Sequence, residues 1–419
     1  MKKLLFYVIV ALVVLSVFTA CSGKKEAAGA SSAAPAGPSG TVTFQYWADE
    51  QKEGIDNMVS IFNKANPNIK VEATLIPGRE PHYNRLMASL PSGTGPDIMT
   101  HNSNIMDYLG YLYPLDDIIP KTSIDVSKFP KSIIDFYTFD GKLYAIPKDF
   151  DTIAIFYNKE LFKKAGVPFP TANWNWEEFR QTAAKLTKGN VVGFACDWED
   201  AQVGFGNFVR QARGGPVHVP GPGVKVNDST VVDALEFIRK LMYVDKVAID
   251  GVEISETNAS DLFMSERVAM ISHGSWKVGP FFGAMGDNLG VTEMPKGQFQ
   301  ACQINGLGFA LNKGTKNYDA AVKFLEFIAS KEGQAATAKV VIPAYEGAAD
   351  QWLAAFPTLD LKVFLDSVRF AYTEAPYPKN TRATNAMLVD QVAVIVRDPK
   401  VNIKAELDKA QAKMEAEQK

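Results

Sequence analysis

Two pairs of closely spaced carboxylates are the first groups in this chain that could do chemistry: Asp149 with Asp151, and Asp197 with Glu199. Two carboxylates on either side of a glycosidic bond are what glycoside hydrolysis requires. Nothing else in the chain supports hydrolysis, and paired carboxylates on loops are common. Trp198 stands between the members of the second pair, with Asp200 next along. A core would not tolerate those carboxylates unpaired, so the segment is either a ligand-facing wall or a solvated acidic loop. The four histidines, His82, His101, His218 and His273, stand far apart and away from the cysteines. That spacing gives no metal-ligand set, and no metal or cofactor is expected. The chain has no G-x-x-x-x-G-K-[ST], G-x-S-x-G or H-E-x-x-H motif. Nucleotide binding, serine nucleophiles and zinc-protease chemistry therefore have no sequence support.

The N-terminus speaks to compartment. Lys2 and Lys3 precede an almost wholly apolar run, residues 4–18, and Thr19-Ala20-Cys21 follow. A charged start, a short apolar run and a small-residue cleavage point describe a secretory signal peptide over residues 1–20. The run is shorter than the ~20 residues of a comfortable membrane span. Cys21 after Thr19-Ala20 resembles the bacterial lipobox, in which cleavage leaves a diacylated cysteine. Phe18 departs from the aliphatic residue usual there, and ordinary secretion with a coincidental cysteine is the alternative. Residues 22–40 are rich in Ser, Gly, Ala, Pro and Lys, without a large apolar side chain. Such a segment buries too little surface to offset chain entropy and reads as a flexible tether. The resulting expectation is a secreted, lipid-anchored protein, periplasmic or on the outer face of the cell membrane.

Composition bounds the remainder. A chain of 419 residues with 47% hydrophobic and 11% aromatic content can build two domains with a large core. A net charge of −3 argues against nucleic acid as a partner. Apart from Cys21, the cysteines are Cys196 and Cys302. They either pair in an oxidising compartment or remain buried thiols, since geometry decides and spacing does not.

The elements that must position these groups read as α/β. Residues 41–47 alternate as a strand. Ile55, Met58, Val59, Ile61 and Phe62 recur at helical spacing, and Asn66-Pro67 stops that helix. Residues 69–76 form a second strand, 85–90 a helix, and 97–99 a third short strand. Strand, helix, strand, helix, strand is the pattern of a parallel sheet. Ligands sit beyond the carboxyl ends of such strands, where Trp47, Asp49 and Glu50 lie. Asp140-Gly141 is a turn between short strands, 151–157 a strand, and 158–166 a short helix closed by Gly166. Asn175 with Glu178 makes a capping box. Further helices are expected at 231–244, at 320–329 and from about 401 to the end.

Several segments in order resemble the family 1 extracellular solute-binding proteins, the carbohydrate-binding components of ABC importers. They include Thr43-Phe44-Gln45-Tyr46-Trp47, Phe62-Asn63-Lys64-Ala65-Asn66-Pro67 and Gly95-Pro96-Asp97-Ile98. The most specific is Asp140-Gly141-Lys142-Leu143-Tyr144-Ala145-Ile146-Pro147, leading to Phe156-Tyr157-Asn158-Lys159-Glu160-Leu161-Phe162. Trp174-Asn175-Trp176, Gly274-Ser275-Trp276 and Asn305-Gly306-Leu307-Gly308-Phe309-Ala310 follow downstream. The resemblance implies a two-lobed periplasmic-binding-protein fold with hinge strands and a ligand cleft between the lobes. By it, the N-terminal lobe is 41–150 plus 312–352 and the C-terminal lobe 152–308 plus 360–419. The chain would cross near 151–153, 307–312 and 352–361.

A sugar presents apolar ring faces and a hydroxyl rim, so its site needs flat aromatics beside carboxylates and amides. The resemblance places Trp276 at the family's ring-stacking position, with small Gly274 and Ser275 beside it. It places Trp198 with Glu199 on the cleft wall of the C-terminal lobe, Asp149 and Asp151 at the first hinge, Asn305 before the second crossing, and Tyr345 at the cleft edge. Trp47 follows from its strand end. Asp97 reads as structural, and Trp352 and Tyr372 are further candidates. The function implied is capture of a carbohydrate by lobe closure and delivery to importer membrane subunits, without turnover. The competing readings are a lipid-anchored carbohydrate-active enzyme and a surface sugar receptor on the same fold.

Overall fold

The computed structural model describes residues 37–218, 224–374, 377 and 380–419. The expected signal peptide, Cys21 and most of the expected tether lie outside the described residues. Two separate sheets organise the rest, each covered by helices.

The first sheet has the strand order Ile69–Leu75, Gly40–Tyr46, Ile98–His101, Gly308–Leu311, Ile146–Pro147. The first three run parallel, and Gly308–Leu311 is antiparallel to both its neighbours. Val42, Phe44 and Tyr46 turn into the core, while Thr41 and Thr43 face out. The helix Lys52–Ala65 lays Ile55, Met58 and Phe62 on the sheet. Phe62 meets Phe324 of the helix Tyr318–Ile328 with ring centroids 4.9 Å apart. Asp97 ties this sheet together. It accepts from the Thr43 backbone N–H and hydroxyl at 2.8 Å each, and from the Thr315 hydroxyl, the structural role its sequence suggested.

The second sheet is built around the ten-residue strand Asp149–Asn158. Its start pairs with Ile342–Pro343, its middle with Cys302–Asn305, and its far half lies between Val268–Gly274 and Leu289–Glu293. Val192–Ala195 and Ala371–Tyr372 complete the sheet. Nine of the ten residues of the long strand are buried, and its far part, residues 153–157, reads as a continuous apolar run rather than an alternation.

The chain passes between the sheets where Pro147 pairs with Gly308 and, a few residues on, Asp151 pairs with Asn305. Lys148 N–H bonds the Leu307 carbonyl at 2.7 Å across these passages. Gly306 has no room for a side chain there, because a Cβ would stand 2.3 Å from the Asp149 carbonyl oxygen.

Local chemistry fixes many boundaries. Asp140 and Gly141 take φ of 48° and 73°, the left-handed pair that a two-residue hairpin requires. Asn175 and Glu178 form the reciprocal capping box. The segment expected as one helix over 231–244 is Ser229–Arg239 followed by a wider turn, Lys240–Val244. Cys196 and Cys302 are both buried and free. Among the described residues no helix is long and apolar enough to cross a membrane.

Candidate functional site

Between the two sheets lies a cavity of about 560 Å³. Its walls come from the loop after the first strand, the passages, and the ends of the second sheet's strands. Five of the residues selected from sequence line it: Trp47, Asp149, Asp151, Asn305 and Trp276.

Trp276 opens from a short turn, Ser275–Lys277, at the end of the strand Val268–Gly274. Its ring stands edge-on to His273, with centroids 5.2 Å apart at 79°. Only glycine fits at 274: a Cβ there would lie 1.7 Å from the indole. Trp47, half-buried, rests on His82 at 4.8 Å and Tyr83 at 5.5 Å. His82 is itself fixed, donating to the Thr100 carbonyl and accepting from the Gln45 amide, both at 3.1 Å. The two indoles thus have braced rings and apolar surface to offer a ligand.

The polar wall is dominated by carboxylates: Glu50, Glu80, Asp149, Asp151, Asp197 and Asp200. Asp149 pairs with the buried Lys148 and accepts the Leu307 N–H at 2.7 Å. Lys148 also donates to Gln51 at 2.6 Å. Asp200 accepts the N–H groups of Gln202 and Val203 at 2.6 and 3.0 Å. Among the described residues Asp151 accepts only the Gln202 amide, at 2.9 Å. Burial, then the neighbouring Asp149, pushes the Asp151 carboxyl up to about 8. Burial likewise raises Glu50 and Asp197. Burial holds His273 down to about 3, so its ring is neutral. Nδ1 of His273 accepts the Gly274 N–H at 2.9 Å, which leaves Nε2 carrying the hydrogen at the cavity wall. Among the described residues no group of three or more His, Cys, Asp or Glu could hold a metal ion.

Five residues selected from sequence lie elsewhere. Trp198 is fully buried and donates its indole N–H to the Ile249 carbonyl at 2.7 Å. Its ring packs among Phe194 and Phe208, with centroids at 5.6 and 6.1 Å. The carboxylates beside it do not follow it inward: Asp197 and Asp200 face the cavity, and Glu199 pairs with Arg397 away from it. Tyr345 packs its ring edge on Phe129 at 5.6 Å, and Val341 lines the cavity from that stretch instead. Trp352 is core, against Phe364 at 5.8 Å, and Tyr372 lines neither this cavity nor the next. Arg79, Glu80, Asn102, Gln202 and His273 line the cavity without having been singled out as site residues. His273 shares a motif with Trp276, which could have flagged it. Gln202 carries no local signal.

A second chamber of about 270 Å³ continues from the first, sharing Arg79, Asn102, Asp200, Gln202 and Asn305. Phe136, Phe139 and Tyr377 add aromatic wall to it.

The sequence profile described as bacterial extracellular solute-binding protein matches residues 37–335. The galactooligosaccharide-binding protein of Bacillus subtilis (strain 168) is 26% identical over 347 residues, covering 79% of this chain and 77% of that protein. The fold is similar to an ABC substrate-binding protein from Listeria monocytogenes in complex with cycloalternan. That match has a TM-score of 0.81 at 24% identity, over 89% of this chain and 97% of the other. The GacH receptor of Streptomyces glaucescens, solved unliganded and with acarbose, matches with a TM-score of 0.78 at 26% identity, over 91% of this chain and all of that one. These relatives bind solutes rather than transform them.

Proposed function

Because the chain belongs to the bacterial extracellular solute-binding proteins, a family of binding proteins rather than enzymes, we propose that it captures a carbohydrate between its two lobes and delivers it to the membrane subunits of an ABC importer. The observation that carries this reading is the cavity wall, where two braced indoles face carboxylates and amides contributed from both sheets. Indole faces suit the C–H faces of a pyranose, and the carboxylates accept its hydroxyls. Leaving buried hydroxyls unpartnered would cost about 1–3 kcal/mol each.

The second chamber gives a chain of sugars somewhere to extend, which favours an oligosaccharide over a single ring. A ligand touches both walls only when they approach, so binding shifts the population toward the closed form. Importer subunits can read that form through both lobe surfaces together. We assign 41–150 with 312–352 to one lobe and 152–308 with 360–419 to the other, divided at the passages beside Pro147 and Gly308.

A thermal-shift screen over mono- and oligosaccharides tests the reading. A ligand at 100 times its dissociation constant adds about 2.7 kcal/mol of stability. A protein that no carbohydrate stabilises would lose this assignment. The anchor is part of the same proposal, since acyl chains on Cys21 would hold the receptor beside its importer. Cys21→Ser should release the protein to the soluble fraction with binding intact. An unmodified Cys21 in the native mature protein, read by mass spectrometry, would remove the anchor.

A further inference from the structure

The cavity holds more carboxyl groups than its own walls pair with cations. Three of its carboxylates are committed: Asp149 to Lys148 and the Leu307 N–H, Asp200 to two backbone N–H groups, and Glu80 to Arg79 and Arg382. Lys148 and Arg79 are thereby occupied as well. Glu50, Asp151 and Asp197 remain, and among the described residues none of the three makes an ion pair. They stand on three different walls. Glu50 follows the strand Gly40–Tyr46, Asp151 lies on the long strand just past the passage, and Asp197 follows the strand Val192–Ala195. As the walls approach and water leaves, ionising these carboxyls becomes costlier, because the local dielectric falls and any charges among them repel more strongly. A cation among them would offset that cost, which a neutral solute does not.

A second observation points to a ligand at the same place. His273 is 6% exposed, lines the cavity, and has its Nδ1 satisfied by the Gly274 N–H. Its Nε2–H meets no acceptor in the protein among the described residues and is available to a ligand oxygen.

We propose that the cavity takes a carbohydrate bearing a protonated amine, with the ammonium group held among Glu50, Asp151 and Asp197. This rests on the carbohydrate-capture reading above and names the class of sugar. The ammonium supplies three donors and a positive charge to carboxylates that have no ion-pair partner among the described residues. His273 Nε2–H takes a ring or hydroxyl oxygen, and Trp276 and Trp47 cover the C–H faces. Burial raises all three carboxyls, that of Asp151 to about 8, and an ammonium beside them would favour their ionised forms. A phosphodiester or a uronic acid is the poorest occupant, since it adds a further anion.

Matched sugars that differ at one substituent test the proposal on the full mature chain. The probes are D-glucosamine, D-glucose and N-acetyl-D-glucosamine, the corresponding galactose series, and the β-1,4-linked dimers chitobiose, cellobiose and diacetylchitobiose. Affinity is measured by calorimetry at neutral pH. A charge-assisted hydrogen bond is about twice as strong as a neutral one, so the amine member of the preferred series should bind roughly tenfold tighter than its hydroxyl and acetyl partners. Asp151→Asn and Glu50→Gln should narrow that gap, and unliganded melting temperatures report whether each variant is folded. Equal or tighter binding of the neutral partner, or of any neutral carbohydrate when every amine-bearing sugar fails, overturns the amine proposal and leaves carbohydrate capture standing. Failure of every carbohydrate overturns both.

Discussion

Trp276 and Trp198 differ in a way that one pair of variants makes measurable. Trp276 lies at the cavity wall, so Trp276→Ala should weaken ligand binding roughly 30-fold or more, as truncation of a buried aromatic anchor does, with little change in unliganded stability. Trp198 fills the core among Phe194 and Phe208. Trp198→Ala should cost about 3–5 kcal/mol of stability while the folded remainder binds normally. Calorimetry and denaturant melts on both variants check this, and a reversed pattern would exchange their roles. The sequence showed where both indoles stand along the chain but not which way each points. Three carboxylates around Trp198 suggested a polar setting, yet neighbouring side chains of a turn need not share a face, and here the indole enters the core while Asp197 and Asp200 face the cavity. Asp151 makes the second prediction at this scale. Its carboxyl stands near 8 in the folded protein against an ordinary 3.8. The folded chain thus keeps a proton that the unfolded chain gives up, and stability is fullest at low pH and declines as pH rises through about 8. Buried His82, held down to about 4, acts in the opposite sense, with stability lost as pH falls from ~6.5. Comparing Asp151→Asn with the parent isolates the carboxylate: the variant should gain melting temperature over the parent as pH climbs from 4 to 9. Parallel profiles would mean that Asp151 is ionised throughout.

Among elements, the most legible were those whose end signals are local. Asn175 with Glu178, Gly166 and Asp140-Gly141 carry their boundary chemistry within a few residues, and helix, C-cap and hairpin stand there. The helix Thr381–Arg397, 17 residues long, was not read from the sequence. Its preceding residue, Asn380, has φ of 45° and makes no side-chain cap. The cap comes instead from Asp107, which accepts the backbone N–H groups of Thr381 and Arg382 at 3.0 and 3.2 Å. No window along the sequence contains both ends of that interaction. Its Val-rich second half also suits a strand as well as a helix. Arg382 adds an ion pair to Glu80 and a bond to Asn84 at 3.0 Å. The helix start is thus held by groups flanking the first sheet, whereas its body packs on the helices Ser229–Arg239 and Gly251–Glu256. Asp107→Ala should cost about 1 kcal/mol through the lost cap. Hydrogen exchange should locate the loosening in residues 381–385, and uniform loosening across both sheets would contradict a local role.

At the scale of the whole molecule, α/β class and two-lobed form were legible because strand and helix periods alternate clearly and several ordered segments resemble one family. The composition of the cavity was less so. Its members converge from the loops after residues 46 and 195, from the passages and from the end of the strand Val268–Gly274, and Gln202 or Arg79 acquires meaning only once the two walls face each other. The interleaved sheets have another consequence, one of timing. The strand Gly40–Tyr46 lies inside the first sheet, but that sheet also needs Gly308–Leu311. At ~5–20 residues per second, a ribosome delivers the closing strand on the order of tens of seconds after the first. Until then Ile98–His101 has one open edge, and long-range pairing of this kind is slow to form in any case. A nascent chain therefore stays loose and threadable for most of its synthesis, the condition a secretion channel needs. Fragments ending before Gly308 should leave the amides of residues 98–101 open to hydrogen exchange, and the complete chain should protect them. Protection already present in the shorter fragments would show that the first half folds without waiting.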